Sequence, residues 1–171
     1  MQYVKFLIIS LISVFVVLTA LSLLFPSDLR VQRVVNIASP RGKVLAAVGD
    51  LKTWPEWNRF VRGPGLTHMS ISDPSSGIGA RLSSDQMTIS ETAADSDGIT
   101  LDWDLKGGKR HSGGISVGML NRDSITVEWW FDLHFRWYPW EKLGVFVYDR
   151  KLGPVMEQSL DSLRRYVENS R

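Results

Sequence analysis

The chain has 171 residues, 22% charged and 44% hydrophobic, with a formal net charge of +2 and no cysteine. The absence of thiols excludes a disulfide framework and cysteine nucleophiles. Nearly balanced charge, with no lysine–arginine block, gives no electrostatic ground for a nucleic-acid partner.

From Phe6 to Phe25 (FLIISLISVFVVLTALSLLF) no side chain is ionisable. At about 1.5 Å rise per residue such a segment covers the roughly 30 Å hydrocarbon core of a bilayer. A cleaved signal peptide is the competing reading, with Ala20 and Ser22 as a weak cleavage site. Its apolar core would be about 7–15 residues, whereas this run continues to Phe25. The sequence therefore divides into an anchor, residues 1–26, and a domain, residues 27–171, of ordinary single-domain size. Lys5 precedes the span while Arg30 and Arg33 follow it, so the positive-inside count does not separate the two topologies. The short tail before a long domain fits a signal anchor that leaves the domain outside the cytoplasm.

Val31–Ile37 reads as a strand, stopped by Ser39-Pro40, which suit a helix N-cap and first helical position. Val44, Leu45 and Val48 then recur at helical spacing to about Gly49. Leu51–Phe60 (LKTWPEWNRF) is a second short helix or turn interrupted at Pro55, and a Gly/Pro/Ser-rich loop follows. From Gly77 the period becomes two. Ile78, Ala80 and Leu82 alternate with Gly79, Arg81 and Ser83, and further alternating runs include Met87–Ile89, Ile99–Leu105 and Ile115–Met119. The longest is Ile125–Phe135. Strict alternation marks antiparallel strands with one buried and one wet face, separated by turn residues such as Asp97-Gly98 and Gly107-Gly108. The chain closes with Leu152, Val155, Met156, Leu160, Leu163 and Val167 on one helical stripe, Pro154 limiting or kinking its first turn. This order predicts an α+β domain whose curved antiparallel sheet wraps the terminal helix.

Glu91 continues the Met87–Ile89 register and so points to the apolar face, where a carboxyl has a raised pKa or a partner. It could serve as acid, base or polar anchor for a ligand. A strand end reaching solvent, or a bulge, would make it ordinary. Arg33, in register with Val31 and Val35, is its candidate partner; a plain strand-edge position is the alternative. His68, His111 and His134 lack metal-site spacing, and neither a metal nor another cofactor is expected. No nucleophile elbow is present. Gly113–Gly118 sits in a strand pattern and opens no helix, so it is no phosphate loop; its glycines would let the sheet bend. Five of the seven tryptophans lie between Trp103 and Trp140. Trp137, Tyr138 and Trp140, beside Arg136 and Lys142, have the composition of a membrane-interface anchor, or of a lid packed on the terminal helix.

The passage VNIASPRGKVLAAVGDLKTWPEWNRF, with Asp50, Leu51, Trp54, Pro55 and Trp57, resembles the SRPBCC superfamily. This is the helix-grip fold of START lipid-transfer domains, the birch pollen allergen family and polyketide cyclase/dehydrase-like proteins. Gly77-Ile78-Gly79-Ala80 and the terminal helix from Leu152-Gly153-Pro154 to Glu168 extend the resemblance over about residues 30–170. A bacterial subset carries one N-terminal membrane helix, which implies a single-pass protein with a periplasmic domain. The resemblance further implies a cavity between sheet and terminal helix for a lipid or other hydrophobic small molecule. Its lining would be Leu101, Trp103, Val117, Met119, Val127, Trp129, Phe131 and Met156, with Glu91 as the polar group; the same residues would also serve a solid core. Non-catalytic binding is the expected function. A cyclase/dehydrase-like enzyme using Glu91 as acid or base, and a cavity-less membrane-associated interaction domain, are the alternatives.

Overall fold

A computed structural model of the full chain describes residues 2–24, 27–63, 66–121, 124–135, 138, 141 and 145–169. Helix α1 (Gln2–Ser22) is one helix long and apolar enough to cross a membrane. The domain then runs β1 (Asp28–Ile37), α2 (Arg41–Gly49), a 3-10 turn (Leu51–Thr53), α3 (Trp54–Trp57) and a second 3-10 turn (Arg59–Val61). Strands β2 (Ser70–Ile71), β3 (Arg81–Ser83), β4 (Met87–Asp95), β5 (Gly98–Leu105), β6 (Lys109–Met119) and β7 (Ile125–His134) follow, and α4 (Val145–Asn169) closes the chain. The strands form one antiparallel sheet in the order β1-β7-β6-β5-β4-β3-β2. Helix α4 packs against β1, α2 and α3. The α+β helix-grip architecture expected from the alternating strands and terminal amphipathic helix is the architecture found.

Register sets the two ends of the domain. Asp28, where the chain enters from the anchor segment, pairs with His134, and Leu105 pairs with Lys109 at the same end. Ile37 pairs with Ile125, Met119 with Ile125, and Asp95 with Gly98 at the opposite end. The inner face of the sheet, α2, α3 and α4 enclose one core.

Two glycines in β6 are there for close approach. A Cβ on Gly113 would lie 2.9 Å from the Trp130 carbonyl and 3.1 Å from the Phe131 ring; one on Gly114 would lie 2.7 Å from the Ile99 carbonyl and from the Trp130 ring. The glycine-rich run therefore lets the neighbouring rings of β7 lie flat on β6.

Several local expectations are corrected. Ile78 is not the first residue of an alternating strand: it sits 74% exposed between Gly77 and Gly79, both at positive φ, so the chain turns there. Pro55 does not interrupt a helix; it lies in the first turn of α3, where no backbone N–H is required. Ser39 forms no cap, Pro40 occupies the N-cap position, and α4 continues through Pro154. Arg33 does not meet Glu91. Its guanidinium crosses Gly153 to donate to Glu157 at 2.7 Å and Asp149 at 3.1 Å, two carboxylates on one stripe of α4.

Candidate functional site

Glu91 is buried because of where the β-bulge falls. From Met87 to Glu91 every second side chain points inward; pairing then passes from Glu91↔Leu101 to Ala93↔Thr100, leaving Thr92 as the extra residue. The register slip therefore exposes the residues after Glu91 and leaves Glu91 itself on the core face, 2% exposed. Its backbone is held by Ala80, whose carbonyl accepts from Glu91 N–H at 2.9 Å, and by Gly79, whose N–H donates to the Glu91 carbonyl at 2.8 Å.

Neither Glu91 carboxyl oxygen has a well-formed hydrogen bond among the described residues. Burial pushes its pKa up, opposed by the weaker influence of the Gly77 backbone N–H. Glu91 borders an open cleft of about 380 Å³, lined also by Leu45, Ala46, Gly49 and Asp50 at the end of α2, by Ser76 and Gly77, and by Ala94, Asp95, Gly98 and Ile99 at the top of β4 and β5. Asp50 pins the two helix-side walls together. Its Oδ1 accepts from Ser75 Oγ at 2.7 Å and from Lys52 N–H at 2.9 Å, while Leu51 N–H donates to the Ser75 carbonyl at 2.9 Å.

Between sheet and α4 the expected lining residues come together, but as packed core. Leu101, Trp103, Val117, Val127, Trp129, Phe131 and Met156 are all buried. Trp103 and Phe131 have ring centroids 4.9 Å apart. Phe60 lies 5.4 Å from Trp129 and 5.6 Å from Trp103, and Trp57 lies 6.1 Å from Trp129. These rings fill the middle of the grip. Three donors inside this region, Trp103 Nε1, Trp129 Nε1 and Asn58 Nδ2, have no acceptor among the described residues. Met119 departs from the expected lining. It is 72% exposed, because it is the last residue of β6, beside the turn into β7, and none of the described residues covers it.

A second cleft, of about 300 Å³, lies at the end of the sheet where the chain enters from the anchor segment, bordered by Gly107, Gly108, Arg110, His111, His134, Phe135, Glu141 and Tyr148. His134 Nδ1 is 2.7 Å from Asp28 there. Of the three expected membrane-interface residues, Tyr138 is half-buried, while Trp137 and Trp140 lie outside the described residues. No group of three metal-ligating side chains occurs among the described residues.

Comparison with known proteins places this geometry. The profile of the family described as polyketide cyclase / dehydrase and lipid transport matches residues 28–168, nearly the whole domain. The chain belongs to that family. Solved structures share the architecture at low identity. A di-domain ARO/CYC protein, StfQ, from the steffimycin biosynthetic pathway superposes with a TM-score of 0.61 at 12% identity, covering 82% of this chain and 51% of that one. CalU16 from Micromonospora echinospora gives 0.59 at 11% identity, covering 83% and 76%. A START superfamily protein from Mycobacterium smegmatis gives 0.56 at 17% identity, covering 81% and 97%. Likenesses at these identities establish the fold. A search of curated proteins finds no significant match.

The helix-side wall of the Glu91 cleft was not foreseen as site. Leu45 reads in the sequence only as part of the helix's apolar spacing and Gly49 as its end, and only the fold brings α2 against β5. Asp50 and Gly77 were visible as part of the family-like motifs, without a role.

Proposed function

We propose that the protein is a membrane-anchored, non-catalytic binding domain for an apolar small molecule or lipid, with its soluble part, residues 27–171, on the periplasmic side. The observation that carries the reading is Glu91: a carboxyl held out of water, with no well-formed hydrogen bond to either oxygen among the described residues, beside an open cleft walled by Leu45, Ala46, Ala94 and Ile99. An unsatisfied buried polar group costs about 1–3 kcal/mol, and a ligand group that completes its hydrogen bonds recovers that cost. Apolar burial would supply the remaining affinity, at about 25 cal/mol per Å² before ordering costs. The family's description includes lipid transport, in keeping with this reading.

The filled aromatic interior moves the seat of the ligand from the middle of the grip toward the cleft beside Glu91. Trp103, Trp129 and Phe131 then act as the floor that holds β4 and β5 in place. Leu101, Val117, Val127 and Met156 act as support behind that floor. Trp137, Tyr138 and Trp140 remain proposed as the segment that touches the bilayer. A cyclase/dehydrase-like enzyme is the second reading, favoured by the upward shift of the Glu91 pKa, which is the direction a general acid needs near neutrality.

Native mass spectrometry of the full-length protein, released from detergent or nanodiscs after purification from membranes, tests the proposal. A defined apolar adduct that is lost in Trp103→Ala or Glu91→Gln supports it. A clean apo mass, unchanged after incubation with a total lipid extract, rejects it in favour of a surface-mediated role.

A further inference from the structure

The cleft beside Glu91 has a one-sided charge. Its ionisable lining consists of three carboxyls, Glu91, Asp50 and Asp95, and no lysine, arginine or histidine. The surrounding cations border other clefts: Arg41 donates to Asp97 and to the Ser96 carbonyl beside Ser116 and Met119, while Arg81 and Arg110 line a separate cleft that Glu91 also borders, where Arg110 pairs with Asp104. Asp50 already accepts from Ser75 and Lys52 through Oδ1, and Asp95 Oδ1 accepts the Asp97 N–H at 2.7 Å. Of the three, Glu91 is the one that is buried with neither oxygen in a well-formed hydrogen bond among the described residues. An acidic rim would be unremarkable by itself; a buried carboxylate opening into it with its hydrogen bonds unmade is what specifies a ligand.

Deepening the binding reading above, on which it rests, we propose that this cleft takes an organic cation, a primary ammonium group on a compact apolar body. The ammonium supplies three N–H donors and a positive charge, which meet Glu91 at the base and Asp50 and Asp95 at the rim. The apolar body lies against Leu45 and Ile99. Neutral ligands of the same shape gain only the apolar part, and anions meet three carboxyls. The location agrees with an aqueous ligand. The cleft lies toward the Asp95–Gly98 hairpin, the end of the sheet opposite the anchor's entry at Asp28, so its occupant comes from solution rather than laterally from the bilayer.

Ionised Glu91 is the form that holds the cation, so binding strengthens as pH rises through the carboxyl's titration. Asp50 and Asp95 face the same space from α2's end and from β4, and Asp97 with Arg41 forms a neighbouring pair. The amine itself stays protonated well above neutrality.

The test is isothermal titration calorimetry of the full-length protein in phosphatidylcholine nanodiscs, against empty nanodiscs, with three matched probes: cyclohexylmethylamine, cyclohexylmethanol and cyclohexanecarboxylate. The expected result is saturable binding of the amine, about tenfold tighter than the alcohol, as one charge-assisted hydrogen bond warrants, with no heat from the carboxylate. Affinity for the amine should rise from about pH 5 to about pH 8. Glu91→Gln should reduce it about tenfold and remove the pH dependence, while its thermal unfolding shows that it is folded. Ala46→Trp, on the exposed lip, should reduce binding of amine and alcohol alike, whatever becomes of the Gln variant. Equal binding of amine and alcohol, or tighter binding of the carboxylate, overturns the cation proposal and leaves a binding domain standing. If no probe binds, the proposal falls. Native mass spectrometry of the same sample with lipid extract then decides whether the broader reading falls with it.

Discussion

The link between Arg33 and Gly153 predicts a coupling that neither residue shows alone. Gly153 lies inside α4, where replacing glycine by alanine ordinarily stabilises by about 1 kcal/mol, a gain that the Cδ of the following Pro154 opposes here. Here a Cβ would sit 2.3 Å from Arg33 Nη2, so the guanidinium must move off. Moving it breaks the ion pairs to Glu157 and Asp149, whose carboxylates are more than half exposed. Pairs that exposed contribute about 1 kcal/mol together once solvent screening is counted. Gly153→Ala in the native background should therefore destabilise, since neither the lost ion pairs nor the clash with Pro154 is outweighed by the helix-propensity gain. In an Arg33→Ala background the same substitution should be about 1 kcal/mol more favourable than in the native background, because no guanidinium remains to displace while the Pro154 contact is common to both. Denaturant unfolding of the four full-length proteins in a non-denaturing detergent, followed by tryptophan fluorescence, gives the cycle. An equal effect of Gly153→Ala in both backgrounds would show that Arg33 does not clamp α4 to β1.

Other perturbations separate a filled interior from an open one and test the glycine positions. Trp129→Ala should cost about 3–5 kcal/mol, a fall in Tm on the order of 10 °C; a loss below 1 kcal/mol would indicate a hollow grip. Gly98→Ala and Gly114→Ala put a Cβ 2.0 Å from the Ile115 carbonyl and 2.7 Å from the Ile99 carbonyl. Both should yield far less folded protein than Gly42→Ala, where a Cβ meets nothing, and equal yields would contradict the β5–β6 approach. Glu91→Gln bears on pH. A carboxyl whose folded-state pKa is raised gives its full stability below the unfolded pKa and loses it as pH rises through the folded pKa. The Gln variant cannot ionise, so it should match the native protein near pH 4 and exceed it in Tm at pH 8; a constant difference across that range would show that Glu91 is not desolvated.

Much of the fold was legible because periodicity is a backbone property. The alternation from Ile125 to Leu133 became β7 with every second side chain buried, and the stripe Met156, Leu160, Leu163 and Val167 became the buried face of α4. The same reasoning put Glu91 on the inner face, and the bulge that might have turned it outward falls one residue later. Legibility stopped where pattern ceases to fix packing. Alternation from Ile78 misled because Gly77 and Gly79 adopt positive φ and turn the chain. Periodicity gave Met119 its facing but not its cover, since exposure there depends on β6 ending beside a turn. For Arg33 the sequence offers Glu91 or a plain strand-edge position, and its pairing with Glu157 and Asp149 is beyond both, as strand register carries no information about which helix residues lie opposite. The rings of Trp57, Phe60, Trp103, Trp129 and Phe131 could equally have lined a cavity or filled one, and only their mutual distances distinguish the two.

The measurement that bears most directly on the site is a pH titration of the Glu91 side-chain carboxyl by 13C NMR in the full-length protein, with Glu91→Gln identifying the signal. A midpoint above the ordinary glutamate value of 4.5, moving down when a ligand completes its hydrogen bonds, is the expected result. A midpoint at or below 4.5 in the free protein would place Glu91 in water or in an ion pair, and the cleft would lose the group on which its binding role rests.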